Sequence, residues 1–282
     1  VCSSDLGSCI GSRLRGAFYS KEVCAAMKQY VVDAFADRVF EGNPAAVCLP
    51  ETWPGGQQML AIARENRLPE TAFAVRDGKD WRLRWFAPSG EVSLCGHATL
   101  AAAYAICRFV EPEAEVLRFQ TLSGPLTVRR RGKLFELDFP AYSLKRLEVT
   151  SQIADALGAR PREVWRARDL VCVFDDPRTV MELKPELDKV KALKGALMQV
   201  TAPGTGTEYD CVSRTFTPKM GLPEDPVCGS GHCHIIPYWA ERLGKRMLTA
   251  RQASPRGGTL YCRLEGTGSC WLGGPPCFPQ RT

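Results

Sequence analysis

The stretch RWFAPSGEVSLCGHATLAAAY, residues 84–104, decides the fold, because it joins a strand, a proline turn and an almost wholly apolar helix. Apolar and polar residues alternate up to Trp85, which predicts a half-buried strand. From Ala98 onward the residues are apolar around most of a helical circumference, which predicts a helix buried on all sides. A thiol and an imidazole, Cys95 and His97, stand at the start of this helix.

A second stretch, TFTPKMGLPEDPVCGSG at residues 215–231, repeats the same order of strand, proline turn, acidic residue, Cys-Gly and helix. Phe86 and Phe216 are 130 positions apart, whereas Cys95 and Cys228 are 133 apart, so three inserted residues separate the copies. We interpret the repetition as an internal duplication. The chain is predicted to be α+β, with two lobes related by a pseudo-twofold axis and a central helix in each.

The composition excludes several classes of function. The chain has 282 residues, 45% of them hydrophobic, which is enough for one large domain or two lobes with a packed core. The net charge is +6, but Lys and Arg are scattered, so we expect no nucleic-acid partner. The same mild positive charge suits a small anionic substrate. No run of 18 apolar residues exists, so no membrane span is predicted.

The cysteines indicate reduced thiols. There are thirteen, an odd number without a spacing framework, which is typical of a cytoplasmic protein and not of a disulfide scaffold. Four potential zinc ligands are clustered, but they lie within one predicted helix and form no CxxC pair: Cys228, His232, Cys233 and His234. We therefore predict no metal site.

The ends of the chain differ from its middle. Residues 1–26 show neither strand nor helix period, so we expect Met27 to be the natural start and the preceding segment to be a non-native or disordered extension. We place the N-terminal lobe at residues 27–143 and the C-terminal lobe at residues 144–274. Residues 275–282 are expected to form an irregular tail, because their prolines exclude a strand.

The two helix starts predict a binding site. Free backbone N–H groups and the positive end of the helix dipole make such starts suitable for anions. If both starts face one cleft, the residues there would hold a carboxylate: Cys95, Gly96, Cys228, Gly229, Ser230 and Gly231. This arrangement suits removal of a proton beside the carboxylate. A base and an acid on opposite faces would racemise the substrate, whereas one residue moving the proton along one face would shift unsaturation.

Seven blocks in one order resemble the PhzF-like (phenazine biosynthesis) isomerase family of the diaminopimelate-epimerase fold: GNPAAVCLP, LPETAFAV, RWFAPSGEVSLCGHATLAAAY, VSRTFTP, PEDPVCGSGHC, YWAERLGK and SPRGGTLYCRLEG. The resemblance runs from about residue 28 to about residue 274. It implies that each lobe is an antiparallel β-barrel-like sheet around its helix, that no cofactor is needed, and that the protein is a homodimer. It also implies that Glu70 is the base and that His97 and Asp225 assist proton movement. Asn43, in the Gly-Asn-Pro turn, is expected to border the cleft.

Two alternatives to this isomerase remain open. Cys-Gly occurs at both helix starts, as in racemases of the same fold, so Cys95 and Cys228 could be the two bases of an amino- or hydroxy-acid racemase. The positive end of a helix dipole would favour the thiolate form of a cysteine at a helix start, which supports this alternative. The chain could also be a non-catalytic ligand-binding protein that keeps the cleft. A small carboxylic acid is the expected ligand in each case, and the sequence does not identify it.

Overall fold

The computed structural model describes residues 27–266 and 268–278, so the extension predicted at residues 1–26 lies outside the described part. The first half of this part forms eight strands and two helices. In chain order these are β1 Lys28–Ala34, β2 Asn43–Leu49, α1 Gly56–Asn66, β3 Glu70–Asp77, β4 Asp80–Ala87, β5 Gly90–Val92, α2 Gly96–Phe109, β6 Val116–Thr121, β7 Gly124–Arg131 and β8 Leu134–Pro140.

The second half of the described part forms nine strands and four helices. In chain order these are β9 Lys145–Leu147, α3 Ser151–Leu157, β10 Glu163–Arg166, β11 Leu170–Val173, α4 Pro177–Glu182, α5 Leu187–Ala192, β12 Met198–Pro203, β13 Cys211–Phe216, β14 Glu224–Asp225, α6 Gly229–Leu243, β15 Met247–Gln252, β16 Gly258–Glu265 and β17 Ser269–Gly274. A short 3₁₀ turn, Pro218–Met220, precedes β14. None of the helices described here has the length and hydropathy needed to cross a bilayer.

The two halves repeat one strand topology. In the first half, β2 pairs with β1 antiparallel and with β3 parallel, and β4 pairs with β3 and β5 antiparallel and with β6 parallel. In the second half, β10 to β15 form the same ladder. Phe86 pairs with Thr71 in one half, and Phe216 pairs with Met198 in the other. The predicted α+β fold of two similar lobes is confirmed.

The helices α2 and α6 are the buried centres of the two halves. Ten of the fourteen residues of α2 are buried, which explains why its sequence is apolar on every side. Helix α6 buries His232 and His234 as well as its apolar residues. The His232 ring satisfies both of its nitrogens, because Nδ1 lies 2.8 Å from the Cys228 carbonyl oxygen and Nε2 lies 3.1 Å from Ser213 Oγ.

A proline inside α6 is tolerated because another residue replaces the bond that it removes. Pro237 has no N–H, so the carbonyl of Cys233, four residues earlier, loses its helical donor. The backbone N–H of Tyr142, in the connection between β8 and β9, donates to that carbonyl at 3.0 Å. The connection between the two halves is thereby fixed to the middle of the second central helix.

The two halves join through their last strands, because β17 pairs antiparallel with β8 as well as with β16. The tail after β17 crosses back to the first half, where Cys277 and Asp33 exchange two backbone hydrogen bonds of 2.9 and 2.8 Å. Apart from this isolated bridge, residues 275–278 form no strand, and residues 279–282 of the predicted tail lie outside the described part. Pro275 cannot donate, yet its carbonyl accepts from Ala36 N–H at 2.8 Å.

Candidate active site

Glu70, His97 and Cys95 meet where β3 begins and α2 begins. Nε2 of His97 lies 3.2 Å from Oε2 of Glu70, and Nδ1 of the same ring lies 3.5 Å from Cys95 Sγ. Cys95 is the residue that caps α2, and His97 lies in its first turn. Glu70 opens β3 beside Ala45 of β2, so the sheet register places its carboxylate against the helix start. These three predicted residues therefore form one cluster.

The imidazole of His97 is buried and keeps unused hydrogen-bonding capacity. Its 3.2 Å contact with Glu70 is an ion pair without good hydrogen-bond alignment, because Nε2 finds no well-angled partner among the described residues. Burial would lower the pKa of His97, but the adjacent Cys95 and Glu70 raise that pKa well above its usual value. Burial would likewise raise the pKa of Glu70, but the close contact with His97 and its positive charge lower it. Contact with the Glu70 carboxylate thus favours the protonated form of His97, and a protonated His97 favours the carboxylate form of Glu70.

The same three side chains are the one group of potential metal ligands that the described residues bring together, with ligand atoms within 4.8 Å of one another. The ring of His97 lies between the other two, since Glu70 contacts one ring nitrogen and Cys95 contacts the other. Structural zinc sites usually have four protein ligands, and the described residues bring three together here.

Asp225 enters the site from the second half. It ends β14, directly before α6, and its Oδ1 accepts hydrogen bonds from Val227 N–H at 3.0 Å and Asn43 Nδ2 at 2.9 Å. Burial raises the pKa of Asp225 to about 6, while the charge of His97 lowers it and the charge of Glu70 raises it. The carboxyl group is therefore influenced by the charges of both Glu70 and His97, and its hydrogen bond with Asn43 joins the second half to the first.

Asn43 holds Asp225 in place and has little contact with solvent. Its Nδ2 also donates to the Val227 carbonyl at 3.1 Å, and only 1% of the residue is exposed. Gly42, just before it, has φ of +73°, and a Cβ there would lie 2.2 Å from the Ala34 carbonyl oxygen. This turn accepts only glycine, and it delivers Asn43 to the other half. The structure thus places Asn43 as a positioning residue at the cleft.

The thiols at the two helix starts are both buried. Cys228 caps α6 as Cys95 caps α2, and the backbone N–H of Cys228 donates to Gln252 Oε1 at 2.8 Å. Burial first, and then the charge of Asp225, raise the pKa of Cys228. Burial and the charge of Glu70 raise the pKa of Cys95. Neither thiol is therefore held as a thiolate, although both caps occupy helix starts.

The glycines of the two helix starts have different surroundings. A Cβ on Gly96 would lie 2.6 Å from Phe139 Cζ, and one on Gly231 would lie 2.5 Å from the Gln199 side chain. A Cβ on Gly229 would meet its nearest atoms at an ordinary 3.8 Å. Two of the three predicted substrate-binding glycines therefore have a packing reason to be glycine.

Arg168 and Asp169 are the site residues that the sequence analysis missed. Asp169 is fully buried, and Arg168 binds it through Nε at 2.8 Å and Nη2 at 2.7 Å. Arg168 Nη2 also donates to Ser230 Oγ at 2.9 Å, and Ser230 Oγ lies 3.5 Å from Cys228 Sγ. The signal in the sequence is an Arg-Asp pair directly before the apolar strand LVCV, where a buried carboxylate needs a cation.

Known proteins give a consistent classification. The family model described as phenazine biosynthesis-like protein matches residues 32–270. An uncharacterized isomerase of Pseudomonas aeruginosa is 46% identical over 238 residues, which cover 84% of this chain and 91% of that protein. A crystal structure of a PhzF-family phenazine biosynthesis protein from Enterococcus faecalis is 44% identical, with a TM-score of 0.86, and covers 89% of this chain and 95% of its own.

More distant structures share the fold alone. A hydroxyproline epimerase from Agrobacterium vitis is 13% identical, with a TM-score of 0.57, and covers 90% of this chain and 91% of its own. The close relatives named as isomerases, together with the PhzF-family structures, make this chain an isomerase-type enzyme, as the sequence predicted. The chain belongs to the PhzF family of phenazine biosynthesis-like proteins.

Proposed function

We propose that the enzyme is a cofactor-independent isomerase of a small carboxylic acid, in which Glu70 removes a proton from one carbon and returns it to another. The observation that carries the proposal is the 3.2 Å contact between Glu70 and His97 at the start of α2. Because His97 lowers the pKa of Glu70, the carboxylate is ionised at neutral pH and ready to accept a proton.

The proton transfer requires stabilisation of the charge that it creates. When Glu70 takes the proton, the C–H bond breaks and its electron pair moves into the conjugated acid as an enolate. Backbone N–H groups at the helix starts and the imidazolium of His97 stabilise that charge. Burial raises the pKa of Asp225 to about 6, and this carboxyl assists the proton movement electrostatically. The protonated Glu70 then gives its proton to the second carbon along the same face. The new C–H bond then forms at the second carbon.

The two-cysteine racemase has less support. It needs at least one thiolate at rest, whereas burial raises the pKa of both Cys95 and Cys228. A ligand-binding protein without activity would have no need for a carboxylate and an imidazolium in contact within a cleft. One experiment distinguishes both alternatives from the proposal.

The experiment is proton NMR in deuterated water, with the wild-type enzyme and a panel of 2-hydroxy, 2-amino and unsaturated small acids. We expect at least one acid to exchange a carbon-bound hydrogen, and Glu70→Gln to slow that exchange by about 100- to 10,000-fold. Thermal shifts should show that the variant still folds and binds the acid. Glu91→Gln is the matched control, because Glu91 is an exposed glutamate paired with Arg84. Unchanged exchange in Glu70→Gln, or no exchange with any acid, would overturn the proposal.

Two further parts of the proposal concern the state of the protein in the cell. We propose a cytoplasmic homodimer, on the basis of the family resemblance and the thirteen unpatterned cysteines. All ten cysteines of the described residues are free thiols. Sedimentation equilibrium of the reduced protein tests the dimer, and a single species of 31.1 kDa would contradict it.

A further inference from the structure

The start of α6 presents a fixed cation to solvent. Arg168 contacts the fully buried Asp169 through two parallel hydrogen bonds, a geometry that holds the guanidinium plane in one orientation. The outer part of Arg168 remains 35% exposed, whereas the Asp169 side chain is 0% exposed. The pair is neutral as a whole, but its positive end faces outward and its negative end faces the core.

The surroundings of Arg168 leave part of its hydrogen-bonding capacity unused. A guanidinium has five N–H donors, and three of those on Arg168 are used by Asp169 and Ser230. Within the described residues, Nη1 makes no hydrogen bond. The ring of Tyr142 lies 5.7 Å from the guanidinium carbon and stacks on His234, so an aromatic ring lies against another side of the guanidinium. The remaining donors have a defined direction and lack an acceptor.

Short contacts connect this cation to the candidate active site. Ser230 Oγ bridges Arg168 Nη2 at 2.9 Å and Cys228 Sγ at 3.5 Å. Cys228 follows Asp225 closely in the chain, and the Asp225 carboxyl senses the charges of Glu70 and His97. Arg168 therefore lies beside the start of α6, with Ser230 between its guanidinium and the Cys228 thiol.

We infer that Arg168 is a specificity residue that binds an anionic group of the substrate, and that the class of substrate is an acid whose carboxylate faces α6 while its reacting carbon faces Glu70. The inference deepens the proposed function and rests on it for the identity of the anion as substrate. Guanidinium donors in a fixed plane match the two oxygens of a carboxylate. Asp169 and Gln199 act behind Arg168 as positioning residues, since Gln199 Nε2 donates to Asp169 at 2.9 Å.

The test uses two alkylating reagents of the same shape, iodoacetate, which is anionic, and iodoacetamide, which is neutral. In both reactions the Cys228 sulfur forms a bond to carbon, iodide leaves with the electron pair of the C–I bond, and the thiol proton passes to buffer. Peptide mass spectrometry gives the rate at Cys228 for each reagent. The ratio of the two rates is divided by the ratio measured with glutathione, which removes their intrinsic difference in reactivity.

We expect the normalised ratio to favour iodoacetate by about tenfold in the wild-type protein, because the anion gains a charge-assisted hydrogen bond. The double variant Arg168→Gln/Asp169→Asn removes both charges, leaves no buried carboxylate unpaired, and should bring the ratio to about one. The matched control is Arg162→Gln/Asp175→Asn, which removes an exposed pair with a 2.8 Å contact in the same half. That control should keep the wild-type ratio.

A wild-type ratio near one, or the same loss in the Arg162 control, would overturn the inference. If the buried Cys228 is not alkylated, the thermal shifts that acetate and acetamide produce in the wild type and in the double variant replace the ratio, and equal shifts for the two compounds in the wild type would overturn the inference. If the double variant fails to fold, Arg168→Lys replaces it. This change keeps the positive charge but removes the planar guanidinium, so the normalised ratio should fall, and an unaltered ratio would contradict the inference. The ratio does not depend on Glu70 acting as a base. A failure of proton exchange would therefore refute the proposed function while leaving the anion site of Arg168 intact.

Discussion

The starts of α2 and α6 occupy equivalent places in two halves of one topology, yet they carry opposite chemistry. At α2 the outer member of the charged pair is a carboxylate, since the Glu70 side chain is 22% exposed and His97 9%. At α6 the outer member is a cation, since Arg168 is 35% exposed and Asp169 0%. The more exposed group is therefore a carboxylate at one start and a guanidinium at the other.

The strand register shows how the duplicated site became unequal. Thr71 and Met198 pair with the two equivalent phenylalanines, so the residue equivalent to Glu70 is Leu197. Two residues after the capping cysteine, His97 is matched by Ser230. The second half thus lacks both the carboxylate and the imidazole. A site with one base in one half favours proton movement by a single residue over a two-base racemase with matched halves.

After the loss of Glu70 itself, the largest effect on this comparison is expected from His97→Gln. We expect proton exchange to slow by about 10- to 100-fold, because Glu70 loses the cation that keeps it ionised. The pKa of Glu70 should rise, so the acidic limb of the pH–rate profile should move to higher pH. Carboxyl ¹³C titration measures the same change directly. Ser230→Ala changes the equivalent position of α6 and should leave the acidic limb of the pH–rate profile in place. A similar shift of that limb in Ser230→Ala would contradict the specific effect of His97 on Glu70.

The next effect concerns stability and the raised pKa of Asp225. A carboxyl group with a folded-state pKa of about 6 stabilises the protein at low pH, and this contribution is lost as pH rises from about 4 through 6. Asp225→Asn removes this pH dependence. The free energy of unfolding of the variant, relative to that of the wild type, should therefore be higher at pH 8 than at pH 4 by up to about 3 kcal/mol, as measured by urea unfolding. Asp210→Asn is the opposite control, because the Lys245 contact lowers the pKa of Asp210 against the effect of burial. If the free energy of unfolding changed with pH in the same way in both variants, the account would be contradicted.

The smallest effects separate the glycines of the two starts. Gly96→Ala should destabilise the protein by about 1 to 2 kcal/mol, because the new methyl group would lie 2.6 Å from Phe139. Gly229→Ala should change stability by less than about 0.5 kcal/mol, because its nearest atoms lie 3.8 Å away. Thermal unfolding compares the two variants. Equal losses would mean that the halves are packed alike around their helix starts.

Local patterns in the sequence predicted much of this arrangement. The duplicated Cys-Gly motifs, the apolar helices and the strand alternation predicted the two lobes, because burial dictates these periods. The resemblance to a family identified Glu70, His97 and Asp225, which the structure brings together. Whether they are catalytic remains a prediction.

The remaining features of the site depend on contacts between residues far apart in the chain, which no local sequence pattern predicts. Arg168 meets Ser230 across 62 positions, and Asn43 meets Asp225 across 182. The first pair forms when the second half folds around α6, and the second pair forms only when the two halves close on each other. The contacts of the tail are equally long-range, since the carbonyl of Pro275 accepts from Ala36 N–H and no local pattern predicts that pair.

The central claim is that Glu70, beside the start of α2, moves the carbon-bound proton, and that the Cys228 thiol at the start of α6 does not. Exchange rates in deuterated water, measured side by side for Glu70→Gln and Cys228→Ser with the same acid, test it most directly. We predict a loss of at least about 100-fold in Glu70→Gln and a change within about threefold in Cys228→Ser. Full exchange in Glu70→Gln together with abolished exchange in Cys228→Ser would contradict the claim and favour the two-thiol racemase.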